Sequence, residues 1–260
     1  MRRTRAAPLA SASFAWAALA ACGDGGPPET DALEGARSER VRDAPAPGDT
    51  TATDHGPASS PSTNAPRPDA GDLVVPGGRF GPVEPDASGA DLAAALGDAY
   101  QEDVAYLGEG FCGAGARLYG GSADEIRVAF VDDTRALVAS ATADAAGARW
   151  RTAEGVGVGT SLDELAGLNG APITFTGFGW DRGGTVIGYG GGALSSYRDG
   201  TGFFVLLDAS PRPTDRALVG DHDVSSDDPA LADYDVRVRG LEAQWRDAQS
   251  RDCELPPGSA

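Results

Sequence analysis

The chain contains no lysine: all 21 basic residues are arginine, set against 39 acidic ones, and 260 residues hold only two histidines and three cysteines. Without an ε-amine there is no phosphate-loop lysine, no Schiff base and no Ser-Lys dyad. One histidine, His55, falls in a Pro-rich stretch, so a folded domain would hold His222 alone, too few for a His-rich zinc site. No apolar run reaches the roughly 20 residues that cross a bilayer. A net charge of −18 predicts repulsion from nucleic acid and anionic headgroups, so no nucleic-acid partner is expected, and no cofactor. What is present is 41% hydrophobic residues, enough for one medium domain or two small ones. The acidic, lysine-free balance fits a GC-rich genome or a salty habitat.

The N-terminus has the form of an address. Arg2, Arg3 and Arg5 precede an uncharged, mostly apolar stretch from Ala6 to Ala21. It is short for a span and suits a secretory h-region. It ends Leu19-Ala20-Ala21-Cys22, which resembles the bacterial lipobox, where small residues precede a cysteine that is diacylated and becomes the mature N-terminus. The resemblance implies residues 1–22 as a lipoprotein signal peptide and Cys22 as the lipidation site. Two acyl chains anchor stably where one does not. The implied location is the bacterial cell envelope, with the membrane as a partner through the lipid and the choice of inner or outer membrane open. An ordinary signal peptide with a chance cysteine, or an uncleaved anchor, are the alternatives.

Residues 23–72 hold 8 of the 18 prolines and almost no large apolar side chain. Such a segment cannot offset its ordering entropy and is expected to be a disordered tether. At about 5–6 Å × √n its r.m.s. span would be on the order of 40 Å. The folded domain is expected over 73–253, with 254–260 as a loose tail.

Two stretches align at an offset of 73 residues: Ser88 to Gly97 and Ser161 to Gly170. Each has serine three places before an acid, the capping-box spacing, and each closes on glycine, the usual C-cap. They predict two short helices with Leu92/Leu96 and Leu162/Leu165/Leu168 facing a sheet. Strand signals follow each helix: 116–119, 125–131, 136–141 and 148–151 after the first, then 173–180, 184–189 and 202–207 after the second. Gly177 is expected to mark a bulge. Residues 236–249, with Leu241 and Trp245 four apart, predict a C-terminal helix. The fold class expected is α+β: two helix-plus-antiparallel-meander units, about 86–150 and 159–208, packed as one domain with that helix. The unit is similar in topology to units of small envelope lipoproteins of the outer-membrane assembly type and of β-lactamase inhibitory proteins.

The run from Gly155 to Val186, with Thr160-Ser161-Leu162, Asn169-Gly170 and Gly177-Phe178-Gly179-Trp180-Asp181, is distinctive, as is Gly220-Asp221-His222-Asp223 through Pro229. With Gly108-Glu109-Gly110 they resemble an uncharacterised family of bacterial secreted proteins and lipoproteins. That resemblance implies the domain boundaries and the envelope location, and carries no activity.

Cys112 and Cys253 remain after lipidation. In an oxidising compartment they are expected to form a disulfide tying the C-terminal helix to the first unit; the alternative makes Cys112 a nucleophile with His222 as base. His222, between Asp221 and Asp223, is either an exposed loop residue or an oriented base. Asp221, Asp223 and Asp227 put alternating oxygens in one loop, a weak candidate for calcium that departs from the EF-hand at its sixth and twelfth positions; turn capping before Pro229 is the plain alternative. The loop 177–184 is read as a hairpin, with Trp180 in the core or on a binding surface. Trp180, Asp181 and Tyr189 form the candidate binding surface, with Tyr197 and Phe203 adding aromatic area. No carboxylate pair stands out for glycoside hydrolysis. The expectation is a membrane-anchored, non-enzymatic binding domain for an envelope protein or glycan; the alternative is an envelope hydrolase using His222 and neighbouring carboxylates.

Overall fold

The computed structural model describes residues 71–253; the expected signal peptide with Cys22, residues 23–70 of the expected tether and the tail after Cys253 lie outside the described residues, while Asp72, expected in the tether, pairs with Arg149 of the domain at 2.8 Å. Helix α1 spans Gly89–Leu96 and starts where the spacing placed it. Ser88 Oγ accepts from the Asp91 amide at 3.1 Å, and the Asp91 carboxylate accepts from the Ser88 amide at 3.0 Å. This reciprocal pair satisfies two amides that the helix cannot. Helix α2 spans Leu162–Asn169; Ser161 caps the Glu164 amide and Gly170 ends it in the left-handed conformation. Leu92, Leu162 and Leu165 enter the buried core.

Strands β1 (Tyr100–Gly108), β2 (Phe111–Leu118), β3 (Ile126–Phe130) and β4 (Val138–Ala143) follow α1 as an antiparallel meander. After α2 come β5 (Thr174–Thr176), β6 (Val186–Gly188), β7 (Phe203–Ser210), β8 (Asp223–Ser225), β9 (Asp235–Gln244) and the two-residue β10 (Arg251–Asp252). The fold is therefore α+β, with two helices and two antiparallel sheets. The second helix does not lead into one consecutive meander. Strands β5 and β6 form a small sheet, ordered β6-β5-β8, while β7 joins the large one, ordered β1-β2-β3-β4-β9-β7 with β10 on β2. The two sheets meet where the Leu207 amide donates to the Gly184 carbonyl at 2.7 Å. A Cβ at Gly184 would lie 2.1 Å from the Leu207 oxygen, and its φ is +77°, so this contact requires glycine.

The expected C-terminal helix is absent: residues 235–244 are strand β9. Val236 and Val238 face the core while Arg237 and Arg239 face out, a period of two that favours strand. The spacing of Leu241 and Trp245 is even, so it fits one face of a strand as well as a helix turn. Gly240 further disfavours helix. Strand β1 has no counterpart in the sequence expectations. It is the sheet's edge, with Val104 and Tyr106 exposed, so it shows no run of buried apolar residues. Gly177 is not a bulge; it lets the chain pass close to Gly220, whose oxygen would be 2.6 Å from an added Cβ. Residues 148–151 do not form a strand; Arg151 alone makes isolated bridges, to Leu73 and Gly157. Trp150 there is fully buried and donates from Nε1 to the Asp124 carbonyl.

One face of the large sheet makes the core. Leu118, Ile126, Val128, Phe130, Ala141, Ala143, Val205, Leu207 and Leu241 point to it and are 0–1% exposed. Cys112 and Cys253 form a disulfide that pins the end of β10 beside β2, across 141 residues of chain. The expected bond is present, but it ties down a strand and not a helix. Cross-linking so long a loop restricts the unfolded chain by up to about 5 kcal/mol in the chain-entropy model. Reduction, or Cys253→Ser, is expected to lower the urea midpoint by a corresponding amount; an unchanged midpoint would show that the bond does not constrain the unfolded chain.

Candidate functional site

The residues singled out in the sequence do not converge. Tyr189 is 4% exposed, and with Tyr197 and Phe203 it forms a chain of edge-to-face rings in the core, so these three belong to packing and not to a binding surface. Burial pushes the Tyr189 phenol far above its ordinary range. Burial and the hydrogen bond to Glu154 do the same to Tyr197, whose hydroxyl donates to Glu154 at 2.5 Å. Trp180 is 38% exposed, and its indole donates to the Gly177 carbonyl at 2.8 Å, which fixes the tip of the 177–184 hairpin. Asp181, next to it, is exposed.

His222 is exposed, and its Nε2 donates to the Ala217 carbonyl at 2.9 Å. Ser225 Oγ hydrogen-bonds to Asp227, and Ser226 Oγ accepts from the Ile173 amide at 2.9 Å, so both nearby hydroxyls serve the loop. Asp223 opens strand β8, and Asp228, rather than Asp227, caps the short turn at Pro229. Among the described residues, no three His, Cys, Asp or Glu side chains are grouped as a metal ion would require.

A concavity of about 920 Å³ lies elsewhere, on the open face of the large sheet. It follows from strand alternation: what the core face does not take, the opposite face must present. The register sets the floor. Thr142 of β4 is paired with Glu242 of β9, and Ser140 with Gln244. Thr142 is also paired with Arg127 of β3, and Arg127 with Arg117 of β2. Ala129 and Gly115 continue the row from Ser140 toward Asp103 of β1. Small residues thus line the middle of the floor, with Asp181, Arg182 and Thr185 on the side of β7, where Thr185 bridges Leu206. Arg246, Asp247, Ala248 and Ser250 line it with Tyr106 and Phe111 of the β1–β2 turn, at the end where β10 pairs with β2. Neither Trp180 nor His222 lines this groove; Asp181 alone among the expected surface residues does.

Ser140, Thr142, Glu242 and Gln244 form a two-by-two tile of half-buried polar side chains. None of the four side chains hydrogen-bonds to another described residue. Arginines farther along are already paired: Arg117 with Asp103 at 2.6 Å and Arg127 with Asp144 at 2.5 Å. Arg182 and Arg239 form no ion pair among the described residues, although both act on the charge of Glu242; Arg239 Nε donates to the Leu207 carbonyl at 3.3 Å. Burial raises the Glu242 carboxyl above the usual carboxylate range, and the charges of Arg182, Arg239 and Arg127 oppose that rise. The tile is not legible in the sequence as long as residues 236–249 read as a helix. The available signal was Ser140 and Thr142 alternating with Ala139, Ala141 and Ala143.

A carboxyl whose pKa is raised on folding binds its proton more tightly in the folded state, so its contribution to stability is lost as pH rises through the raised value. Glu242→Gln mimics the neutral form. It is expected to raise the melting temperature near pH 7, and to change it little near pH 4, where the unfolded carboxyl also begins to protonate. A variant less stable than the parent at both values would show that ionised Glu242 is favourably held.

Comparisons with protein-family models, with curated proteins and with solved structures find no match to this chain.

Proposed function

We propose that this chain is a lipid-anchored protein of the bacterial cell envelope that binds an envelope ligand in the groove of its large sheet. Cys22 carries the anchor and residues 23–72 act as the tether. The domain from residue 73 to 253 is the binding module. The observation that carries the binding role is the polar tile: four half-buried side chains set side by side without a hydrogen-bond partner among the described residues. Half-buried polar groups left unpaired by the protein are satisfied by water or by a ligand. A concave, pre-formed site with a few converging polar groups is what binding sites share. The lipobox resemblance, and a domain surface whose acidity disfavours nucleic acid, support the envelope location.

The role assigned is binding and not catalysis. His222 is bound to a backbone carbonyl, and the nearest serines serve turns and strands. The anchor is tested by labelling cells with a fatty-acid analogue and separating membranes. The parent protein is expected to carry label and sediment with membranes, whereas Cys22→Ala loses both. An unlabelled, fully soluble parent would end the anchoring proposal.

A further inference from the structure

We propose that the ligand of the groove is a saccharide bearing a carboxylate, held with its acid group between Arg182 and Arg239 and its hydroxyls on the tile. This rests on the groove being the binding site.

The shape of the floor argues for a sugar. Neighbouring strands lie about 4.8 Å apart, and alternate residues along a strand about 6.7 Å. The tile of Ser140, Thr142, Glu242 and Gln244 therefore covers roughly one hexose ring. It offers two hydroxyls, a carboxylate and a carboxamide, which together donate to and accept from ring hydroxyls. It has no apolar anchor, which disfavours acyl chains and aromatic ligands. A peptide is disfavoured for a different reason. Strand addition needs free backbone groups at a sheet edge, whereas β4 and β9 are each hydrogen-bonded on both sides.

The charges argue for an acid. Of the arginines that line the groove, Arg117 and Arg127 pair with Asp103 and Asp144 and Arg246 is bound to backbone carbonyls, whereas Arg182 and Arg239, beside the tile, form no ion pair among the described residues. Glu242 balances one of them, which leaves room for one negative charge on the ligand. Two guanidinium forks on one ligand carboxylate would give the short, charge-assisted bonds that select for it. Glu109, Asp181 and Asp247 also line the groove; they are exposed, as Arg182 and Arg239 are, so salt screens their repulsion and the arginines' attraction alike. Tyr106 and Phe111, exposed at the far wall, offer ring faces for a second sugar residue.

The test is a titration of the full-length lipidated protein in detergent micelles, followed by calorimetry. The probes are glucuronate, galacturonate and N-acetylmuramate, each beside its neutral counterpart: glucose, galactose and N-acetylglucosamine. Expected is binding of at least one acid roughly tenfold or more tighter than its neutral partner, weakened by salt. Arg182→Ala and Arg239→Ala should each cost that acid about tenfold. Both side chains are exposed, so neither variant threatens the core. Ser140→Ala should weaken acid and neutral sugar alike. No binding of any acid at about 10 mM overturns the proposal. So does equal binding of acid and neutral sugar, although loss of that binding in Ser140→Ala would keep the groove as a site. Tighter binding of a short cationic peptide would overturn it too, by assigning the groove to Glu242, Asp181 and Asp247 instead.

Discussion

Strand β9 is hydrogen-bonded on both sides, to β4 of the first helix-and-strand unit and to β7 of the second. This insertion is the constraint on which the domain depends. Without it, β1 to β4 would end in an open edge at β4, and β7 would have only its contact with the Gly184 loop. With it, six strands share one ladder and one buried face. Leu241 and Ala243 bring the core of the two units together, packed between Ala143 and Ala141 on one side and Val205 and Phe203 on the other. The pairing is non-local, since the chain closes nearly a hundred residues between β4 and β9; such contacts form late because loop closure precedes their gain.

The same insertion makes the groove. A strand shows alternate residues to opposite faces, so seating Leu241 and Ala243 in the core forces Glu242 and Gln244 onto the open face beside Thr142 and Ser140. The polar tile is therefore the reverse side of the core contact. Holding a carboxylate there, partly out of water, is unfavourable by itself, and the raised proton affinity of Glu242 expresses that cost. Sites that bind or react commonly keep such locally unfavourable groups, supported by the rigid element beneath them. Here that element is the central part of a sheet, and the disulfide from Cys112 to Cys253 secures the segment that follows it.

How far the sequence could be read depended on whether a signal was local. Both helices were legible because their caps are: Ser88 with Asp91 and Ser161 with Glu164 lie three residues apart and meet within a single turn. The β3 strand was legible because Ile126, Val128 and Phe130 alternate. The disulfide was legible by arithmetic on two cysteines. β1 was not, since an edge strand buries little and Gln101-Glu102-Asp103 looks like loop. β8 was not, since one buried valine among aspartates reads as a turn. Tyr189, Tyr197 and Phe203 looked like surface aromatics, because nothing local says that Tyr197 will reach Glu154 across the fold.

Composition and the starts of both helices were set by residues near one another in sequence, where short-range chemistry is decisive, and the disulfide followed from the domain holding only two cysteines. Which sheet each strand joins, the strand identity of residues 235–244 and the meeting of Ser140, Thr142, Glu242 and Gln244 were decided only by tertiary structure. The physical reason is that a β-strand has no internal hydrogen bonds: its partner, its face and its neighbours are all supplied by another part of the chain.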